Sequence, residues 1–352
     1  MNHYPSNVKE KLNSIILSMA EHHWLFSKNP GHDFTRQHLG KLSFYDTMRL
    51  IISMGKGSTN DEIMDYFNLD PDLIPSQSAF CQRRRQISLS AFEYLFSEFS
   101  SSFPSTTDKF KDHCILACDG CHVVYATNSD IIEDYNKPRL IDYKGYNHMH
   151  LNGFVDVISK AFLDVVIQPG QQPDEREALH SMLDHFTPDD PQKYIITADR
   201  GYESYDLLFH CELKNLGYVF RVKSPSSPKS ILSYYASEFP DDLEEFDVTI
   251  KRFFTDKATN IMKSQSDVYR YINPSKNTPH FYELLRKNHS HLYFLQFRVV
   301  KIKTTENTYE YLITNLPFSF TLDDIRECYH WRWGIEVSFR YLKHAAGLLY
   351  FH

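Results

Sequence analysis

Apolar and polar residues along the chain change period three times. Residues 1 to about 106 carry no convincing alternating run and read as helical. Ser43 can cap a helix through Phe44 to Met54, which the glycines of MGKGS stop. Thr59 or Asn60, with Glu62 nearby, opens DEIMDYF, and the turn LDPDLIPS separates that segment from SAFCQRRRQI. A short helix, a turn and a second helix bearing Arg83, Arg84 and Arg85 have the outline of a helix-turn-helix, an outline that small helical bundles share.

From residue 113 the texture is that of a sheet. CILACD is an apolar strand ending in an acid, and HMHLNGFVDVISKAFLDVVIQ reads as an antiparallel hairpin turning at Ser159 and Lys160. DEREALHSMLDHF has helical spacing with Asp174 and Glu175 in its first turn, where acids suit the helix dipole. KYIITAD is a buried strand that also closes on an acid; the turn RGY, the helix SYDLLFHCELKNL and the strand YVFRVK follow. This order predicts an α/β architecture, an α+β mixed sheet with helices packed on it. Residues 224 to 306 begin serine- and proline-rich and then alternate in LEEFDVTIKRFF and LYFLQFRVVKIKT, with TYEYLIT after them, which predicts a β-rich insertion before the last helix. The expected divisions are therefore 1–106, 107–223, 224–306 and 307–352.

That last helix is YHWRWGIEVSFRYLKH, residues 329 to 344. At about 100° per residue, Tyr329, Arg332, Glu336, Arg340 and Lys343 form one stripe, and Trp331, Ile335, Phe339 and Leu342 form an apolar stripe beside it. A charged stripe bordering a buried one looks into a cleft. The alternative is an exposed ladder of Arg332, Glu336 and Arg340, worth only ~0.2 to 0.5 kcal/mol per pair.

Composition narrows the class. The 352 residues, 24% charged and 42% hydrophobic, suit a globular chain of two or three compact units. No apolar run reaches the ~18 residues of a membrane span, and the start has no apolar core of signal-peptide length, so a cytoplasmic protein is expected. The six cysteines are too sparse for a disulfide scaffold. Cys118 and Cys121 make a CxxC, but on a strand they face opposite sides, and no second half-site follows. A net charge of -7 argues against indiscriminate nucleic-acid binding and leaves room for a local basic groove.

The candidate chemistry lies in three acids. Asp119 and Asp199 stand at strand ends, where open α/β sheets place ligands, and each is followed by a turn-forming glycine one or two residues on. Either alone reads as a cap or turn former. Together with Glu336 they make a hard-oxygen set of the kind that Mg²⁺ or Mn²⁺ takes, leaving positions for water and phosphate oxygens. Two such ions drive in-line phosphoryl transfer. Arg332 and Lys343, to either side of Glu336, would grip a DNA strand.

The spacing Tyr329, two residues, Arg332, three residues, Glu336, six residues, Lys343 resembles the Tyr-Arg-Glu-Lys signature of bacterial insertion-sequence transposases of the Asp-Asp-Glu type. LACDG around Asp119, TADRGY around Asp199, FRVK, LITNLP, SMGKGS and SAFCQRRRQI are similar to that family as well, so the resemblance runs from about residue 34 to the end. It implies a ribonuclease H-like catalytic core interrupted by a β-strand insertion between the second Asp and the Glu. It further implies that Asp119, Asp199 and Glu336 bind two Mg²⁺ (or Mn²⁺) ions, and that the enzyme nicks transposon ends in double-stranded DNA and joins them to target DNA, with two subunits working together. On the same resemblance Tyr329, Arg332 and Lys343 would hold phosphates, and Lys223 of FRVK would face the same groove. The chain departs from the family in stopping at GLLYFH, nine residues after Lys343. An apolar end without a helix stop suggests truncation, so a catalytically silent DNA-binding protein that interferes with full-length copies stands beside the active transposase as an alternative, and a host nuclease on the same fold beside both.

Overall fold

The computed structural model describes residues 4–35, 42–102, 109–137, 145–240, 242–257, 259–273 and 278–348. The expected boundary at 106/107 and the last four residues of GLLYFH lie outside them. The chain divides into two units: Met1–Pro104 with Val124–Ala126 and Arg340–His352, and Ser105–Val123 with Thr127–Phe339.

The first unit holds α1 (Tyr4–Glu21), α2 (Phe44–Ser53), α3 (Thr59–Tyr66), α4 (Gln77–Gln86) and α5 (Leu89–Ser101). Ser43 caps α2 as its position suggested: its Oγ accepts the Asp46 N–H at 3.1 Å, and the Asp46 carboxylate accepts the Ser43 N–H in return. The cap of α3 is Ser58, one residue earlier than expected, because its hydroxyl reaches the Asp61 N–H at 3.2 Å. Ile16, Met19, Phe44, Met48 and Ala91 make one apolar core, and Leu42, Leu50, Ile63 and Phe80 make another under α3 and α4. The connection 67–76 between α3 and α4 is longer than the roughly 3 to 4 residues of a helix-turn-helix turn. On α4, Arg84 and Arg85 are exposed, whereas Arg83 is half-buried with its guanidinium over the Phe34 ring.

The second unit is built on one sheet. In chain order its elements are β1 (Cys114–Tyr125), β2 (Tyr135–Asn136), β3 (Tyr146–Asp156), β4 (Ala161–Pro169), α6 (Glu175–His185), β5 (Tyr194–Ala198), α7 (Tyr205–Leu213), β6 (Gly217–Val222), β7 (Phe246–Thr255), α8 (Asn260–Ser264), β8 (Tyr269–Tyr271), α9 (Pro279–Lys287), β9 (Leu292–Thr305), β10 (Thr308–Thr314), α10 (Leu322–His330) and α11 (Trp333–His344). The last turns of α11, from Arg340, belong to the first unit. The sheet order is β2-β3-β1-β5-β6-β10-β9-β7-β8, with β4 on β3. The hairpin β3–β4 is antiparallel and turns through Lys160, whose φ is 61°. β1, β5 and β6 run parallel, which completes a ribonuclease H-like mixed α/β core.

Strand residues of this core are buried on both faces, as parallel sheets require. Leu116, Cys118, Ile196, Ala198, Tyr218 and Phe220 join α6 and α7 in one large apolar cluster, while their neighbours Ile115, Ala117, Ile195, Thr197 and Val219 are equally buried on the opposite face. The strands of the 224–306 segment extend the same sheet: β10 pairs antiparallel with β6 and with β9, and β9 with β7. That segment also carries α8 and α9, which its strand-like texture concealed. Among the described residues no helix is long and apolar enough to cross a membrane.

Candidate active site

Register brings the two aspartates together. The last β1–β5 pair is Ala117 with Thr197, so Asp119 and Asp199 each lie two residues beyond it on neighbouring strands about 4.8 Å apart. Both extend the alternation of Ile115, Ala117, Ile195 and Thr197 and so point to that face. Asp199 ends its strand as expected. Asp119 does not: β1 continues to Tyr125, so this acid is mid-strand. Backbone donors hold both carboxylates, the Gly120 N–H on Asp119 Oδ1 at 2.9 Å and the Gly201 N–H on Asp199 Oδ1 at 2.6 Å.

Residues 329 to 344 do not form one helix. α10 ends at His330 and α11 starts at Trp333; between them the N–H groups of Arg332 and Ile335 bond three residues back, to Tyr329 and Arg332, which tightens the chain into a turn. The break splits the expected stripes. Trp331 is 39% exposed and leaves the apolar set, while Ile335 and Phe339 remain buried. Tyr329 is buried at the end of α10, and Arg332, at the junction, is turned inward with 6% of its surface exposed. Its guanidinium reaches Asp119 Oδ2 at 3.4 Å and Glu336 Oε1 at 2.7 Å. Two acids 217 residues apart in sequence thus share one buried cation, which no exposed ladder would produce. Two further polar atoms, Arg332 Nε and Tyr329 Oη, are buried without a protein partner.

A fourth carboxylate joins them that the sequence did not single out. Glu175, the first residue of α6, places Oε1 2.8 Å from where a Gly120 Cβ would stand and Oε2 3.5 Å from where a Gly201 Cβ would stand, beside Asp199 Oδ1. Its Oε1 is held at 3.0 Å by Nε2 of the buried His150 on β3. Gly120 is what makes the approach possible, since any Cβ there would lie 2.2 Å from His150 Nε2. In the sequence Glu175 looks like an ordinary helix-start acid; the signal was the strand-interior glycine after Asp119. His150→Ala releases this carboxylate beside Asp119 and Asp199 and is expected to weaken Mn²⁺ binding by about tenfold at most, since Glu175 neighbours the proposed ligands. Calorimetric titration checks it.

Burial appears in the protonation of Asp119. Burial pushes its carboxyl up from 3.8 to about 6; the Gly120 N–H and Arg332 oppose the rise, and Asp199 and Glu175 add to it. The folded chain therefore holds this proton more tightly than the unfolded chain. Ionising Asp119 costs nothing in stability below about pH 4 and its full penalty above about pH 6. Metal-free Asp119→Asn is accordingly expected to be more stable than the parent at pH 7 by about 3 kcal/mol and nearly equal to it near pH 4. Thermal unfolding at the two pH values decides.

The remaining candidates are placed differently. Lys223 Nζ is paired at 3.1 Å with Glu203, a carboxylate whose side chain is 1% exposed and which also accepts the Lys223 and Ile231 N–H groups. Lys343 is half-buried on the last turn of α11, in the first unit. Cys118 is fully buried with its thiol on Tyr202 Oη, and burial drives that thiol far up, while Cys121 is half-buried on the other face of β1.

The family model described as "Transposase DDE domain" matches residues 110–352. The chain belongs to this transposase family. The matched region contains Asp119, Asp199, Glu336 and every other residue of the site. A solved structure similar to this transposase-domain chain is a cryo-EM structure of piggyBac transposase synaptic complex with hairpin DNA, at a TM-score of 0.44 and 10% identity, covering 84% of this chain and 57% of that chain. This chain therefore spans little more than half the length of that one. No curated protein matches it.

The transposase family implies divalent metal, and the donors suit it. They are carboxylate oxygens with no thiolate among them, burial and, to a smaller extent, the neighbouring acids raise the proton affinity of Asp119, and a buried guanidinium already balances two of them.

Proposed function

We propose that the chain is a metal-dependent DNA transposase that nicks transposon ends in double-stranded DNA and joins them to target DNA, with Asp119, Asp199 and Glu336 as ligands for two Mg²⁺ (or Mn²⁺) ions. The observation that carries this reading is the Arg332 guanidinium shared by Asp119 and Glu336 beside an Asp199 set in register with Asp119. Such a pair of ions, when bound, activates the attacking oxygen and stabilises the leaving oxygen of an in-line displacement.

The protein's own groups prepare that reaction. Asp119 must lose its proton to act as a ligand, and Arg332 favours the ionised form. The Gly120 and Gly201 N–H groups fix Oδ1 of each aspartate, and Arg332 approaches Asp119 Oδ2. Arg332, whose planar guanidinium suits two parallel bonds to a phosphate, and Tyr329 Oη are the donors that would hold the DNA strand beside the ions. Lys343 and Lys223 extend the proposed DNA contacts; Lys223 would have to share its charge with Glu203. Action as a pair of subunits on two DNA ends belongs to the proposal through the resemblance of the Tyr-Arg-Glu-Lys signature.

The test is nicking of an end-labelled duplex bearing the element's terminal sequence. Cleavage with Mg²⁺, loss of cleavage with a chelator and its return on adding Mg²⁺ or Mn²⁺ support the reading. Tight binding of the duplex without a nick in either ion contradicts it.

A further inference from the structure

Three helices of the second unit bring three imidazoles together: His180 on α6, His210 on α7 and His280 on α9. Each contributes a ring nitrogen to a set lying within 4.8 Å of one another. His180 Nδ1 faces His210 Nδ1 at 2.9 Å, and the His280 ring stacks on both, with centroids at 4.4 and 3.8 Å. Carboxylates stand behind the rings. Asp206 Oδ2 is 2.7 Å from His280 Nδ1 and 3.6 Å from His180 Nε2, and Asp184 Oδ1 is 3.2 Å from His210 Nε2. Asp206 is itself buried, and its Oδ1 accepts the N–H groups of His280 and Phe281 at the start of α9.

Proton accounting shows that this arrangement is short of positive charge. A neutral imidazole carries one N–H. His180 and His210 therefore bring two protons to one hydrogen bond between them and two further approaches to carboxylates, His180 to Asp206 at 3.6 Å and His210 to Asp184 at 3.2 Å. If both protons face the carboxylates, two lone pairs meet at 2.9 Å. If either proton lies between the rings, a lone pair meets a carboxylate instead. A third proton would settle the conflict, but it would put a charge among packed rings, His210 being 1% exposed and stacked on His280, and burying a charge without full compensation is costly. A metal cation answers the same need without protonating a buried ring.

We propose that His180, His210 and His280 form a Zn²⁺ site, with Asp206 as the orienting carboxylate. Neutral imidazole is the ligand form Zn²⁺ takes. Asp206 on His280 Nδ1 leaves Nε2 of that ring with the lone pair, the carboxylate-histidine-metal arrangement that fixes a ligand's tautomer. Loading turns the nearly parallel rings out of their stack toward the ion. The ion ties α9, which lies in the 224–306 segment, to α6 and α7 of the core. The site stands independently of the carboxylate site and of the transposase reading.

The experiment uses the full chain carrying Asp119→Asn, Asp199→Asn and Glu336→Gln, which silences the carboxylates, stripped with a chelator and titrated with Zn²⁺ alone. One equivalent is expected to bind and raise the melting temperature. His280→Gln, whose side chain is partly accessible, is expected to weaken binding at least 100-fold while the circular dichroism stays unchanged. Co²⁺ substitution gives a second readout, the absorption of a tetrahedral nitrogen-ligated ion. No bound equivalent, or binding unaltered in both His280→Gln and His210→Ala, overturns the proposal; the cluster would then relieve its charge by turning the exposed Asp184 to solvent.

Discussion

Asp119→Asn, Asp199→Asn and Glu336→Gln are each expected to lower Mg²⁺-dependent nicking of a transposon-end duplex by about 10³-fold or more, with DNA binding changed only a few-fold. Each substitution keeps the side chain's shape and removes its charge. Divalent ions contribute several kcal/mol of transition-state charge stabilisation, and each 1.36 kcal/mol is tenfold in rate, so a site that no longer holds one of them loses about three powers of ten. Misfolding is not the expected cause at position 119, because the neutral side chain removes a buried charge that the folded state carries at a cost. If cleavage persisted in Asp119→Asn, the assignment of the site would be wrong.

Arg332→Ala is expected to act twice, and the two effects separate by metal. Without divalent ions the substitution leaves Asp119 and Glu336 facing each other with no shared cation, and a loss of about 2 to 3 kcal/mol in unfolding free energy follows. With Mg²⁺ present the ions take over that balance, and the stability loss is expected to shrink. Nicking, by contrast, is expected to stay more than tenfold down in Mg²⁺, since the bidentate grip on phosphate is gone. Arg332→Lys restores the charge but not the fork, so it is expected to recover stability better than nicking. Urea unfolding with and without Mg²⁺, beside the nicking assay, resolves the two roles. Equal stability losses in both conditions would show that Arg332 is merely a core ion pair.

Much of this site is legible in the sequence. The strands that carry Asp119 and Asp199, the hairpin around Lys160, α6, α7 and β6 all follow from local period and turn chemistry, whereas Glu336 was marked by the spacing of its neighbours Tyr329, Arg332 and Lys343. What local pattern cannot carry is register: the pairing of Ala117 with Thr197, which sets the two aspartates side by side, is a long-range fact. The helix break at Trp331 and Arg332 escaped because the periodicity runs through it without a proline, and the tightening bonds are visible only in the backbone. β1 outruns Asp119 because Cys121 and Val123 continue its alternation, with Val123 buried. Glu175 and His150 went unnoticed since each is ordinary for its element. Only their meeting across Gly120 distinguishes them. The helices α8 and α9 were hidden inside a segment whose strands dominate its texture, and the histidines of α6, α7 and α9 are too far apart in sequence to suggest a cluster.

The claim on which the rest depends is that Asp119, Asp199 and Glu336 jointly hold divalent ions. The most direct measurement is anomalous scattering from crystals of the chain soaked in Mn²⁺. The expected map has two peaks roughly 3.5 to 4 Å apart, bounded by those three carboxylates and with Arg332 moved off Asp119. Crystals in which Mn²⁺ leaves the three acids empty, or touches only one of them with Arg332 still bridging Asp119 and Glu336, would contradict it.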